Sequence, residues 1–547
     1  MEASLENLYR DHRMKAEVKR QSLEQELITV GGENILLTNQ RRQVLMLKPT
    51  DLLVQLRQGK LSAGTVVESY QAKALEVTKR TNCITEFIPD ARAWAEALDK
   101  LAPDERRALH GLPVSVKDNV MVKGLDCTLG LLKKVGQPAP VDADVVAVLK
   151  ELGAVPFVKT NVSQICLTPG CSNPLWGKTI HPLDPTRSPG GSSGGEGALI
   201  SEGGSVFGLG TDMGGSVRVP SNWCGLTGFK PTSKRISNVG VANVPGPVGA
   251  YGTVGMIGRD GAFVAEAVKA IFSSNFNALD PEVPPLPWND SVYLSKKALR
   301  VGWFDSTALF PSTPGVKRAV AQAVAAFKVL GHEVVQFTIP KAAEMLKIYL
   351  NLLMADHGEL AKSLLDGEIL DDELNWFMEI SAGMPHDERN NAKLRREFGD
   401  LAVEYDLVEL ATISDLWAKI GERRTIFDNF LKAWRAAGLD ILLCPVTPAP
   451  ATKAEHVGKI SSCLLTTMLF NLLDCPAVAV PVTHQTMDDE KNIQDYPVTD
   501  YIHGIFKQDA TNAVGLPLGV QLVALPYCEE LLCRALAELS NFLNYKC

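Results

Sequence analysis

The chain predicts an α/β protein, with a mostly parallel or mixed sheet covered by helices on both faces, and three observations carry that expectation. Helical periodicity gives way to a short apolar run in DADVVAVLKELGAVPFVKTN, again in VKRAVAQAVAAFKVLGHEVVQFTIP, and again in IFDNFLKAWRAAGLDILLCPVTPAP. At 547 residues, 46% of them hydrophobic, the chain is long enough to bury a large core. No internal repeat or low-complexity segment points to a solenoid or an unfolded tract.

Each element has a local reason. MEASLENLYRDHRMKAEVKRQSLEQELI reads as a mixed-charge helix, an arm packed on the body or on a second subunit. LKPTDLLVQLRQGKLSAGTVVESYQAKALEVTKRT gives two helices, the second capped by Ser62 or Thr65. In GLPVSVKDNV, Leu112, Val114 and Val116 alternate with Pro113, Ser115 and Lys117, the period of a half-buried strand that delivers Lys117 at its end. Gly153 stops the helix of DADVVAVLKELG before a buried strand. NFNALDPEVPPLPWND reads as a surface connection, and the last helix-to-strand unit ends in Pro445, Pro448 and Pro450.

Composition excludes several classes. A net charge of −8 with dispersed Lys and Arg offers no surface for nucleic acid. Eleven cysteines without a C-x-x-C, the pairs Cys166/Cys171 and Cys528/Cys533 lacking histidines in metal register, read as reduced thiols of a cytoplasmic protein. Residues 1–30 hold no apolar signal-peptide core, and no run of about 18 apolar residues is present to span a membrane.

The chemistry is expected in RSPGGSSGGEGALISEGGSVFGLGTDMGGSVRVP, where Ser192 and Ser216 sit on glycine-rich backbone. Glycine lets the chain approach a ligand closely. The consecutive amides of Met213, Gly214, Gly215 and Ser216 are able to converge on the oxyanion formed when the Ser216 hydroxyl attacks a carbonyl. Serine needs a base. His110 and His181 lie in turn-like contexts without a readable Asp partner and are expected to be structural. Lys117 in a water-poor site is the other route, because desolvation disfavours the ammonium. Gly191-Ser192-Ser193-Gly194-Gly195 also satisfies G-x-S-x-G, with Ser193 as nucleophile, but RSPGG precedes it where a hydrophobic strand is required. No Gly-Lys-Ser/Thr follows a glycine run, and Gly208-x-Gly210 is followed by Gly214, one residue late for a dinucleotide fingerprint.

GLPVSVKDN, GGSSGGEG and GTDMGGSVRVPS, in this order and spacing, resemble the three signature elements of the amidase signature family of serine hydrolases. The resemblance implies one large twisted mixed sheet covered by helices. It also implies a Ser–cis-Ser–Lys triad: Ser216 the nucleophile, Ser192 the relay on a cis peptide, Lys117 the base, and Met213 to Ser216 the oxyanion site. ADVVAVLKELGAVPFVKTNVSQ, CSNPLWGKTIHP and VGLPLGVQLVALPYCEELLCRAL look like the fatty acid amide hydrolase branch, over roughly residues 50–270 and 435–540. That implies cleavage of N-acylethanolamines and primary fatty amides, with no metal or organic cofactor.

The expected division is an N-terminal arm at 1–60 and a single amidase domain at 61–547, with a variable helical insertion at about 310–430. A homodimer is the expected assembly. By position, Cys166 in SQICLTPGC (163–171) and the segment SSCLLTTMLFNLLDCP (461–476) border the acyl channel, with Leu167, Leu464, Leu465, Met468, Leu469 and Phe470 available. The branch's membrane-docking cap is replaced by DGEILDDELNWFMEISAGMPHDERNNAKLRREFGDLAVEYD, where Trp376, Phe377, Met378 and Ile380 form the one compact apolar cluster, beside Asp371, Asp372, Glu373 and Glu379. Weak, reversible peripheral contact with membranes is therefore expected. Two other readings stay open: an acyl-ester, monoacylglycerol or small-amide hydrolase using the same three residues, and an amidotransferase subunit passing ammonia to a partner.

Overall fold

The computed structural model describes residues 10–11, 13–22, 25, 37–246, 248–381 and 410–545. The described strands are β1 Ile84–Phe87, β2 Pro113–Lys117, β3 Val155–Thr160, β4 Phe207–Asp212, β5 Thr227–Lys230, β6 Thr253–Gly258, β7 Arg300–Trp303, β8 Glu333–Gln336, β9 Ile441–Pro445, β10 Ala477–His484 and β11 Pro517–Val523. They form one eleven-stranded sheet in the order β1-β3-β2-β4-β6-β5-β10-β11-β9-β7-β8. Six of its ten pairings are antiparallel, so the sheet is mixed and the mostly parallel alternative is set aside. The helix-to-strand grammar in the sequence reports only the segments that cross over with a helix between them. The antiparallel trio β4, β6 and β5 carries no such signal, and β10 and β11 pair antiparallel although the helices Met487–Asn492 and Tyr501–Asp509 lie between them in the chain.

Alternation along the strands sorts the core onto two faces. Ile441 and Leu443 of β9 pack in the cluster formed with the helices Ala63–Thr81, Gly261–Phe272, Pro314–Val329 and Glu529–Leu543. Leu442 and Cys444 of the same strand pack in a second cluster with Ala342–Leu353, Ile413–Ala436 and Leu465–Leu472. Local expectations hold at several boundaries. The Ser62 hydroxyl accepts the Thr65 N–H at 3.1 Å at the start of Ala63–Thr81. Gly153 sits at φ +84° between the helix Asp144–Glu151 and β3.

The described part of the N-terminal arm packs on the body. Ala16 is buried with Leu132, Leu175 and Trp176, Lys19 pairs with Glu86 and Asp126, and Arg20 donates to the carbonyls of Pro174 and Leu175.

The described part of the compact apolar cluster lies inside the protein. Phe377 and Met378, on the helix Asp372–Ser381, are buried against Leu129, Leu131, Ile165, Met354 and Leu374. Glu373 beside them also turns inward, toward Lys178 at 3.7 Å, and Asp371 accepts the Ser172 hydroxyl at 2.7 Å. Residues 382–409 and the side chains of Trp376, Glu379, Ile380 and Leu465 lie outside the described ones. No described helix is long and apolar enough to cross a membrane.

Candidate active site

Lys117 is the last residue of β2, at the centre of the β3-β2-β4 triple, and its side chain is fully buried. Its Nζ donates to Ser192 Oγ at 2.8 Å and to Thr211 Oγ1 at 2.8 Å. Thr211 stands near the end of β4, the neighbouring strand. Ser192 lies two residues before the helix Gly194–Ser201, and the Gly191–Ser192 peptide is cis. A Cβ at Gly191 would fall 1.6 Å from the Gly170 carbonyl oxygen, so glycine is required for this close approach.

Burial pushes the Lys117 amine down from its ordinary value of 10.5. Cys166 and Cys171 would oppose that as thiolates, but burial raises both thiols, Cys171 to about 12. The anionic neighbours are then Asp212 and Glu196. Burial raises Glu196 to about 7, against the hydroxyls of Ser115 and Thr160 that it accepts. Asp212 stays charged. Burial works against its ionisation, yet the Arg218 guanidinium at 2.8 Å holds it well below the usual carboxylate range.

That ion pair shapes the TDMGGS turn. Asp212 accepts the N–H groups of Gly215 at 2.9 Å and Val217 at 3.2 Å, while Arg218 is held by Asn471 Oδ1, Gln521 Oε1 and the Thr467 carbonyl. Gly215 takes φ +129°, and a Cβ there would fall 2.5 Å from Thr467 Oγ1. Asp212→Asn is expected to leave the buried guanidinium without its counter-charge and to cost about 3 kcal/mol. A chemical-denaturation midpoint measured against the parent chain checks this.

Ser216 follows the turn and is partly exposed. Its carbonyl accepts the Ser193 N–H at 3.3 Å, tying the two serine loops together. Cys166, at φ +59°, stands beside Ser192 and Lys117. The structure thus gathers Lys117, Ser192, Cys166 and the 213–216 turn. The Gly215 N–H is taken by Asp212, so this amide of the turn is already occupied.

Other candidates separate out. Ser193 is buried, with its hydroxyl donating to the Thr211 carbonyl at 3.4 Å, which removes it from any elbow-like exposure. His181 is buried, with Nε2 3.0 Å from the Trp223 carbonyl and Nδ1 accepting the Leu183 N–H, and burial brings it down to about 4. His110 is buried as well.

An apolar cavity of about 190 Å³ opens beside the turn, lined by Leu167, Met213, Val244, Leu352, Leu353 and Leu416 among others. Among the described residues, only those of the first of the two segments assigned to the acyl channel reach it. Leu464, Met468, Leu469 and Phe470 are core, with Met468 lying 3.6 Å from where a Gly214 Cβ would stand.

Sequence reading missed Thr211, Asp212 and Arg218, although all three lie inside the GTDMGGSVR motif and a search for lysine and arginine partners there would have found them. It also missed Tyr349, Thr467 and Asn471, which arrive from distant helices and carry no local signal.

The family model described as Amidase matches residues 65–533. Fatty-acid amide hydrolase 1 of Sus scrofa is 38% identical over 92% of this chain and 86% of its own length. Fatty acid amide hydrolase 1 of Caenorhabditis elegans is 35% identical over 89% of this chain and 86% of its own. Among solved structures, a fatty acid amide hydrolase superposes with a TM-score of 0.79 at 23% identity, covering 97% of this chain and 95% of that one. A 6-aminohexanoate cyclic dimer hydrolase gives 0.71 at 23% identity, covering 92% and 98%. These two structural likenesses speak for the fold. The motifs, the family match and the relatives together place the chain in the amidase signature family of amide hydrolases.

Proposed function

We propose that the chain hydrolyses fatty acid amides, N-acylethanolamines and primary fatty amides among them, through an acyl-enzyme on Ser216. The observation that carries this reading is the setting of Lys117: a buried amine whose hydrogen-bond acceptors are the hydroxyls of Ser192 and Thr211 and a carbonyl, with no carboxylate among them. Such an amine is poised to be neutral and to accept a proton.

In this mechanism Lys117 Nζ takes the proton of Ser192 Oγ as Ser192 takes that of Ser216 Oγ, and Ser216 Oγ bonds to the acyl carbon. The carbonyl pair moves onto oxygen, and the amides of Met213, Gly214 and Ser216 hold the oxyanion. The proton returns from Lys117 through Ser192 to the leaving nitrogen, the C–N bond breaks and the amine departs. Water then attacks the ester carbon, gives its proton along the same route, and Ser216 leaves with it as the fatty acid is released. The apolar cavity beside Met213 and Leu167 suits an alkyl chain, and the names of the relatives favour a fatty amide over a small polar one.

The test is competition for a fluorophosphonate label by a panel of fatty acid amides, monoacylglycerols and short polar amides. Long-chain amides are expected to protect at the lowest concentration. Protection by acylglycerols alone would move the reading to an ester hydrolase, and a stable heteromer on purification would move it to an amidotransferase subunit.

A further inference from the structure

Two hydroxyls from outside the glycine turn decide how its peptides face. Tyr349, on the helix Ala342–Leu353, donates to the Met213 carbonyl at 2.8 Å. Thr467, on the helix Leu465–Leu472, donates to the Gly214 carbonyl at 2.6 Å. A trans peptide is planar, with its C=O and the following N–H pointing opposite ways. A donor fixed on one carbonyl therefore fixes the direction of the next residue's N–H. The structure contains its own check: with Thr467 on the Gly214 oxygen, the Gly215 N–H is turned into Asp212 Oδ1 at 2.9 Å. By the same geometry Tyr349 on the Met213 oxygen turns the Gly214 N–H away from the helix, and that N–H finds no acceptor among the described residues.

We propose that Tyr349 is a positioning residue for acyl transfer, its hydroxyl holding the Met213–Gly214 peptide so that the Gly214 N–H is presented to the oxyanion. This rests on the reading of Ser216 as nucleophile. Tyr349 is buried and sits in contact with the turn, 3.0 Å from where a Gly214 Cβ would stand. Burial pushes its phenol well up, helped by Asp212 and opposed by Arg218, so it remains a proton donor throughout the working range. A donor on the carbonyl also polarises the peptide and makes its N–H the stronger donor. The arrangement further explains a helix from the loosely matching middle of the chain: it reaches the reaction centre through one hydroxyl and closes the apolar cavity with Leu352 and Leu353.

Tyr349→Phe keeps the ring and removes this one hydrogen bond. Removing an oxyanion donor outright costs about 100- to 1,000-fold in kcat, so a donor left in place but no longer aimed should cost about 10- to 100-fold. KM should stay within about 3-fold, because the carbonyl of the bound amide carries no oxyanion. Affinity for an acyl trifluoromethyl ketone, which adds the serine and does carry one, should fall by the same factor as kcat. Unchanged kcat and ketone affinity, or a KM that rises by as much as ketone affinity falls, would overturn the assignment. Should Tyr349→Phe not fold, 3,5-difluorotyrosine at 349 replaces it. That ring is close to tyrosine in size and ionises at lower pH, so kcat should acquire an alkaline fall absent from the parent, and a parent-like profile would overturn the assignment. Peptide mapping of the labelled parent enzyme separates the two readings. A label on Ser216 with an indifferent Tyr349 variant sinks this inference alone, whereas a label elsewhere sinks the nucleophile assignment first.

Discussion

Ser216→Ala is expected to abolish fluorophosphonate labelling and to lower turnover by about 1,000-fold or more, the scale on which removing a catalytic serine acts. Ser216 alone among the serines of the two glycine loops pairs exposure with the amide-bearing turn. Ser193→Ala is the contrasting variant. Its hydroxyl is buried and makes one long hydrogen bond to the Thr211 carbonyl, so its loss costs about 1 kcal/mol of stability and leaves labelling intact. Rates and label incorporation measured side by side on the two variants check both expectations.

Lys117→Ala is expected to cost about 100- to 10,000-fold in kcat and to erase one limb of the pH profile. The sign follows from burial. The neutral amine is the working form and burial lowers its pKa, so activity rises with pH through an ionisation below 10.5 and is lost as pH falls through it. Stability moves the same way, because the unfolded chain holds that proton more tightly and folding is favoured as it leaves. A Lys117→Ala protein whose residual rate keeps the parent's pH dependence would show that another group supplies the limb.

The same residues mark how far the sequence alone carries. Lys117, Ser192 and Ser216 were legible because each sits in a short segment whose pattern is local: alternation along β2, and glycine where backbone must pass within van der Waals distance of backbone, as at Gly191 against Gly170. The helices ending at Gly153 or starting at Ser62 were legible for the same reason.

What stayed hidden depends on tertiary approach. Asp212 is one letter of a motif in the sequence, yet in the fold it takes the N–H of Gly215, one of the four amides that the glycine run offers. Tyr349 lies 136 residues from the carbonyl it binds, and Thr467 lies 253 from its own. No periodicity encodes either pairing. Acidic residues surround Phe377 and Met378 in sequence, so local composition does not show that the two are buried. On the helix Asp372–Ser381, Glu373 stands four residues before Phe377 on the same face and turns inward with it, where burial raises it to about 7. The antiparallel joins β4-β6-β5-β10 were invisible because strand order within a sheet leaves no trace in local composition.

The account stands on one covalent bond, and the measurement that tests it most directly is peptide mapping by mass spectrometry of the intact chain after reaction with a fluorophosphonate and, separately, after trapping with a slowly deacylating fatty acyl substrate. The account predicts a single adduct on the peptide bearing Ser216 in both experiments, absent from Ser216→Ala and strongly reduced in Lys117→Ala. An adduct on Ser193, or an acyl group carried by Cys166, would contradict it.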